Sequence, residues 1–329
     1  MLNRHCLGSA PAGNGRAEAS AVLKIKNRKS KIEHGFSLVE VLVAVSLLSL
    51  IVLALMTVFN STQRAFRASV TQTDVLEGGR AAVELVAQDL RQITPSGGTS
   101  DINFGAVNFF ALGNDAPPQV PSLQYSPLLQ SLPGISSANI QRTNVLEYFF
   151  LLARQNTKWI GIGYVVNATN SSPLYPLYRF YEETNIYASP RGLFDHFINE
   201  INTSQWTNMS HLIDGVVHLV VRPADVNGVW MTNGYTKTQL LTAKNVEFFP
   251  PQWGEVGGYF FSNTVPASVE LQMGILEDRV LARASSFPAL TVFPYHSTAQ
   301  SNYLSQQAGR VHVFRQQVTI PNLDPTASP

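Results

Sequence analysis

His34-Gly35-Phe36-Ser37-Leu38-Val39-Glu40 runs directly into Val41-Leu-Val-Ala-Val-Ser-Leu-Leu-Ser-Leu-Ile-Val-Leu-Ala-Leu-Met-Thr-Val-Phe59. The 24 residues from Phe36 to Phe59 contain one ionisable group, Glu40. As a helix this stretch is about 36 Å long, enough to cross a hydrocarbon core of roughly 30 Å. A carboxylate inside such a segment costs roughly 2.5–3.5 kcal/mol on insertion scales, so Glu40 reads as functional.

The charge around this stretch is uneven. Residues 1–35 hold seven Lys/Arg and two Asp/Glu. That leaves 16 basic and 20 acidic residues after Gly35, a formal −4. The basic cluster is Lys24, Lys26, Arg28, Lys29 and Lys31, and basic charge just before an apolar span marks the cytoplasmic side. The overall charge of +1 argues against a nucleic-acid binder. Cys6 is the only cysteine, so a chain cut after Gly35 has no thiol and its head must be held by burial.

Two ordinary readings of the apolar run compete with a functional one. A secretory signal has a shorter apolar core followed by a small-x-small cut site, and Phe59-Asn-Ser-Thr-Gln-Arg provides none. A plain single-span anchor explains neither Glu40 nor the abrupt Gly35-Phe36 junction.

Gly35-Phe-Ser-Leu-Val-Glu40 with an apolar helix behind it resembles the type III signal of type IV pilins and pseudopilins. The resemblance implies that a membrane prepilin peptidase cuts after Gly35 and N-methylates Phe36. Residues 1–35 are then a cleaved leader, and the mature chain has 294 residues. The resemblance also implies that Glu40 pairs with the α-amine of a neighbouring subunit and sets the axial register in a filament. Pairing offsets the desolvation of a carboxylate in lipid. In a free monomer Glu40 would instead snorkel to the cytoplasmic interface.

The helical pattern continues beyond the apolar run. Val75, Gly79, Ala82, Val83, Val86, Leu90 and Ile93 recur at steps of three and four, predicting one apolar face. Arg80 and Glu84 are spaced for an i,i+4 pair, and Gly78-Gly79 is a weak point. Pro95-Ser-Gly-Gly98 should end the helix, giving one helix from Phe36 to Ile93. Many pilins carry a helix-loosening proline in the first half. This chain has Thr57 near that place, so a straighter helix is expected.

The remainder reads as β-rich. Strands are expected at 107–111, 145–152, 160–166, 177–182, 216–222, 246–249, 267–273 and 311–320, from their β-branched and aromatic content. Short helices are expected at Val280–Ser285 and after Ser189-Pro190, with Ser189 as N-cap. The fold class is therefore α+β: a long N-terminal helix, transmembrane then amphipathic, packed on an antiparallel sheet head. The expected divisions are leader 1–35, membrane or filament-core helix 36–59, amphipathic spine 60–94, β-rich head 95–320 and frayed tail 321–329. Residues 112–144 and 292–310 read as polar inserted loops.

Parts of the head resemble minor pseudopilins of the J type and related W-type minor pilins. These are Tyr164-Val-Val ahead of Leu177-Tyr-Arg179, Leu212-Ile-Asp-Gly-Val216 through Leu219-Val-Val-Arg-Pro to Gly228-Val-Trp230, and Val265-Pro-Ala-Ser-Val269. Glu40 is present, which disfavours the K type. The chain is longer than expected of a J-like subunit, and the inserted loops account for this. The resemblance implies a non-enzymatic filament subunit in the bacterial inner membrane, N-terminus cytoplasmic and head periplasmic. Its partners would be the prepilin peptidase, other pseudopilins, membrane lipid and an inner-membrane assembly platform. Two alternatives stand beside it: a minor subunit of a type IV or competence pilus, contacting a surface or DNA, and a single-span tethered binding protein.

The sequence holds no catalytic constellation and no cofactor motif. His211 and His218 are seven apart, wrong for a helical zinc pair, and read as surface or interfacial histidines on opposite strand faces. No Gly-x-Ser-x-Gly occurs, and Gly161-Ile-Gly163 lacks a third glycine. Glu182-Glu183 and Glu277-Asp278 are either calcium ligands or solvated turn charge. Trp159, Trp206, Trp230 and Trp253 read as core or interface aromatics rather than a sugar platform.

Overall fold

The computed structural model describes residues 37–108, 127–132, 141–169, 173–232, 245–249, 251, 254–288, 290 and 296–321. It divides into two compact units, Met1–Ser61 and Thr62–Pro329. Helix α1 (Leu38–Leu90) supplies the described part of the first unit and continues into the second.

The second unit is α+β. Strands β1 (Ile102–Asn108), β4 (Glu147–Gln155), β5 (Lys158–Val166), β6 (Leu177–Asn185), β7 (Ser210–Ile213), β9 (Val246–Phe248) and β10 (Gly258–Phe261) form one sheet, in the order β7-β6-β5-β4-β1-β10-β9. A second sheet has the order β12-β11-β8, from β8 (Val216–Ala224), β11 (Ser268–Leu276) and β12 (Val311–Thr319). Strands β2 (Leu128–Ser131) and β3 (Gln141–Asn144) pair with each other. The ladders within these sheets are antiparallel.

The two larger sheets meet along the outer edge of β8. Leu219 N–H donates to the Val145 carbonyl at 2.9 Å. Two residues on, β4 has turned away to pair with β1, and Glu147 substitutes its side chain: the Val221 N–H donates to Glu147 Oε2 at 2.6 Å. The ladder is thus extended by a buried carboxyl group.

The apolar stripe on α1 is confirmed: Val75, Gly79, Ala82, Val83, Val86, Leu90 and Ile93 are all buried. Its end differs from expectation. The helix stops at Leu90, because Ile93 pairs with Ala153 and the Thr94 N–H donates to the Leu152 carbonyl. Strand pairing therefore ends the helix before Pro95-Ser-Gly-Gly98 can. Glu84 pairs with Arg91 at 3.3 Å rather than with Arg80.

All eight expected strands overlap observed ones, and β2, β3, β7 and β10 are additional. Helix α2 (Arg191–Asn202) starts one residue later than expected. Pro190 is the N-cap, and Ser189 Oγ accepts from the Arg191 N–H at 3.4 Å. Helix α3 (Asp278–Ala284) lies where a short helix was expected.

The polar-loop reading of 292–310 is corrected. This segment contains α4 (Thr298–Ser305), capped by Ser297, whose side chain accepts from the Gln300 N–H. The other proposed insertion is partly a hairpin, β2-β3, and the two meet: buried Gln130 donates to the Leu304 carbonyl at 3.1 Å. Two of the glutamines here are buried amides that satisfy backbone carbonyls: Gln130 at Leu304 and Gln300 at Ala284. Residues 112–126 and the tail from 322 lie outside the described residues.

Candidate filament-assembly site

The apolar residues of α1 from Leu38 to Phe59 are exposed. Among the described residues, α1 is the one helix long and apolar enough to cross a membrane. Its polar side chains are satisfied internally: Ser46 donates to the Val43 carbonyl, Ser49 to Val45 and Thr57 to Leu53, each at 2.8–2.9 Å. A hydroxyl bonded back to its own helix leaves no polar group bare to lipid.

At the start of α1, Ser37 and Glu40 cap one another. The Ser37 N–H donates to Glu40 Oε2 at 2.9 Å, and the Glu40 N–H donates to Ser37 Oγ at 3.3 Å. This is a capping box, in which Ser at the N-cap and Glu three residues on satisfy two orphan donors. The carboxylate is also at the positive end of the helix dipole. Glu40 therefore has a partner within its own chain, one the Ser-x-x-Glu spacing already encodes. Gly35, Phe36 and the basic cluster Lys24, Lys26, Arg28, Lys29 and Lys31 lie outside the described residues.

In the second unit, the last turn of α1 is locked to the sheet through Asp89, which the sequence reading missed. Asp89 is buried, and Arg179 on β6 donates to it from Nε at 2.7 Å and from Nη2 at 3.1 Å. The hydroxyl of Tyr164 on β5 donates to the same carboxylate. Burial works against the Arg179 charge, but the hydrogen bonds and charge of Asp89 outweigh it and hold the guanidinium above its ordinary pKa. Burial first, then the Asp89 charge, pushes Tyr164 well up, so it stays a donor. One signal was legible: Asp89 is a lone carboxylate on the apolar stripe and needed a cation.

Gly79 is the contact point of α1 with the smaller sheet. A Cβ there would meet Phe314 ring carbons at 2.4 Å and Ile275 Cδ1 at 2.9 Å. The expected weak point is a close approach, and α1 runs through it unbroken. Gly163 serves α2 in the same way, with a Cβ there 2.4 Å from Phe197. That packing role accounts for Gly161-Ile-Gly163.

The remaining candidates separate. His211 is exposed, on β7, 2.7 Å from Asp214; His218 is on β8, in the other sheet. His218 corrects the surface reading: it is buried, and its Nδ1 accepts the Val145 N–H at 3.1 Å. Burial, then the Arg142 charge, lowers its pKa to about 4. Glu182 contacts His196 at 3.0 Å, Glu183 contacts Lys158, and Glu277 contacts Arg310 and His312 at 3.4 Å. Among the described residues, no group of three or more His, Cys, Asp or Glu is placed to hold a metal ion. Trp159 is buried and Trp206 stacks on Tyr178 at 5.4 Å, whereas Trp230 is half exposed. Trp253 lies outside the described residues.

No curated protein and no solved structure matches the chain. The family described as "Prokaryotic N-terminal methylation motif" matches residues 30–56, which span Gly35, Phe36, Glu40 and most of the apolar run. That motif, one exposed apolar helix and an antiparallel head fit a pilin-like, membrane-anchored subunit.

Proposed function

We propose that this chain is a non-enzymatic subunit of a pilin-like filament, specifically a J-like minor pseudopilin of a type II secretion system. The prepilin peptidase cuts Gly35–Phe36, Phe36 is N-methylated, and the positive leader stays in the cytoplasm while the head occupies the periplasm. After the cut, the N-terminal amine of one subunit meets Glu40 of its neighbour. The other filament subunits and an inner-membrane assembly platform are the partners. One observation carries this reading: a methylation motif opens onto an all-round exposed apolar helix whose sole ionisable group before Arg64 is Glu40. The J-like assignment rests on the resembling stretches of sequence, among them Tyr164-Val-Val ahead of Leu177-Tyr-Arg179.

The test is the N-terminus of the protein recovered from membranes, together with a Glu40→Ala variant. N-methyl-Phe36 and loss of Glu40→Ala from filaments are expected. An intact leader, in cells with an active prepilin peptidase, overturns the processing claim. Normal function of Glu40→Ala leaves the helix as a plain tether. Crosslinking to pilus rather than secretion subunits moves the assignment to a type IV pilus.

A further inference from the structure

Arg64-Ala-Phe-Arg67 begins five residues after Phe59, where the apolar run of α1 ends. The 33 residues from Val41 to Thr73 hold no carboxylate, and Arg64 and Arg67 are their only ionisable side chains. Both arginines are exposed, and neither makes an ion pair among the described residues. The positions three and four residues from them are Asn60, Ser61, Gln63, Ala68, Val70 and Thr71, besides the arginines themselves, so the helix offers them no anion. The two cations instead face each other at i,i+3, a like-charge pair that destabilises a helix. Phe66, between them in sequence, is 69% exposed, and Val70, one turn on, is 43% exposed.

The spacing of this pair along α1 matches the thickness of a bilayer. Arg64 and Arg67 come 24 and 27 residues after Glu40 in the same helix. At the helical rise that is about 36 and 40 Å, against roughly 40–45 Å for a bilayer with its headgroups. With Glu40 at one headgroup layer, both guanidinium groups reach the opposite one. Phe66 joins them there as an interfacial aromatic. A guanidinium at that depth meets phosphodiester oxygens, which its planar fork binds in pairs.

We propose that Arg64 and Arg67 clamp the headgroup of an anionic phospholipid in the leaflet opposite the N-terminus, and so fix the depth of the helix in the bilayer. The proposal rests on the membrane-spanning reading of α1. A shared phosphate relieves the repulsion between two cations that the chain itself leaves uncompensated. A second copy inserted at the same depth brings arginine against arginine within the same carboxylate-free stretch, so it does not supply the anion. Phosphatidylglycerol is favoured over phosphatidylcholine, because no choline cancels its negative charge. A cut after Gly35 removes the seven Lys/Arg of the leader and leaves Arg64 and Arg67 as the first cationic side chains of the chain.

The test puts a photo-crosslinking residue at Gln63, which is exposed and next to Arg64, in the full chain alone in nanodiscs of mixed phosphatidylcholine and phosphatidylglycerol. A second sample carries it at Leu50, 66% exposed within the apolar run, where lipid adducts of either kind report insertion. Mass spectrometry of the adducts gives the ratio of the two lipids. From Gln63 the ratio should exceed the share of phosphatidylglycerol in the bilayer. Arg64→Gln and Arg67→Gln should each lower that enrichment roughly fivefold, the 1 kcal/mol of one basic residue at an anionic surface. Both variants should keep α1 helical, because Gln is a good helix former. Lipid adducts from Leu50 with no enrichment at Gln63, or an enrichment that the double variant retains, overturn the clamp alone. Adducts from Gln63 with a second copy in place of lipid assign this face to helix–helix contact and also overturn the clamp. An absence of lipid adducts from Leu50 overturns the membrane-spanning reading itself.

Discussion

Arg179 holds Asp89 by two hydrogen bonds, Nε–Oδ2 at 2.7 Å and Nη2–Oδ1 at 3.1 Å, across 90 residues of sequence. Asp89 sits one residue before the end of α1, where the helix dipole disfavours negative charge. The guanidinium and the Tyr164 hydroxyl supply what the helix end cannot. The pair fixes where the helix stops relative to β5 and β6.

Asp89→Ala should therefore destabilise the second unit by about 3 kcal/mol, the cost of leaving one partner of a buried ion pair uncompensated. Asp89→Ala with Arg179→Met should recover much of that loss. Thermal or urea unfolding of the four-member cycle measures the coupling. Additive single effects would show that the pair contributes packing only.

At Gly79 the sign of a stability change reports the packing. On an open helix face Gly→Ala stabilises by about 1 kcal/mol. Here the new methyl meets Phe314 at 2.4 Å, so Gly79→Ala should destabilise by about 1–3 kcal/mol. Combining it with Phe314→Leu should restore part of the loss. A stabilised single variant would mean that α1 does not approach β12 this closely.

Glu147 and His218 set opposite pH limits. Burial raises Glu147 from 4.5 to about 8, opposed by the Val221 N–H and reinforced by Glu255. Its contribution is full below pH 4.5 and is lost as pH rises through about 8, at no more than about 1.4 kcal/mol per pH unit. His218 falls from 6.5 to about 4, so its contribution is present above 6.5 and lost as pH falls through about 4. Glu147→Gln keeps an acceptor for Val221 and should flatten the alkaline limb; His218→Gln should flatten the acid limb. Urea midpoints between pH 4 and 9 test both. An unchanged alkaline slope in Glu147→Gln would refute the assignment.

The sequence made the periodic features legible. The stripe from Val75 to Ile93 needs only 3.6-residue periodicity, and the β-branched runs reveal eight strands. What stayed hidden depends on tertiary partners. Ile93 is drawn out of the helix by Ala153, and Gly79 reads as a defect until Phe314 is placed against it. Asp89 and Glu147 each interrupt an apolar run, but their partners, Arg179 and the Val221 N–H, are 90 and 74 residues away. The strand β10 is short and glycine-led, with a signal too weak to separate from loop. In the candidate assembly site, Glu40 is legible as the lone carboxylate of an apolar run. Ser37 was encoded just as plainly, three residues earlier, and its role follows from the capping geometry.

That geometry separates two roles of Glu40. Gln at the third helical position also closes a capping box, so Glu40→Gln keeps the exchange with Ser37 and removes only the charge. Glu40→Ala removes both. If the charge is what a neighbouring amine recognises, the two variants should fail equally in filament incorporation. Both should still be N-methylated and membrane-inserted, because the apolar run is unchanged. If the cap is what matters, Glu40→Gln should incorporate nearly normally and Glu40→Ala should not. Ser37→Ala completes the comparison: it weakens the cap by about 1 kcal/mol while leaving the carboxylate free for an intermolecular partner. On the charge model it therefore incorporates at least as well as the unaltered chain. Sheared-filament recovery of the three variants, normalised to N-methyl-Phe36, distinguishes the models.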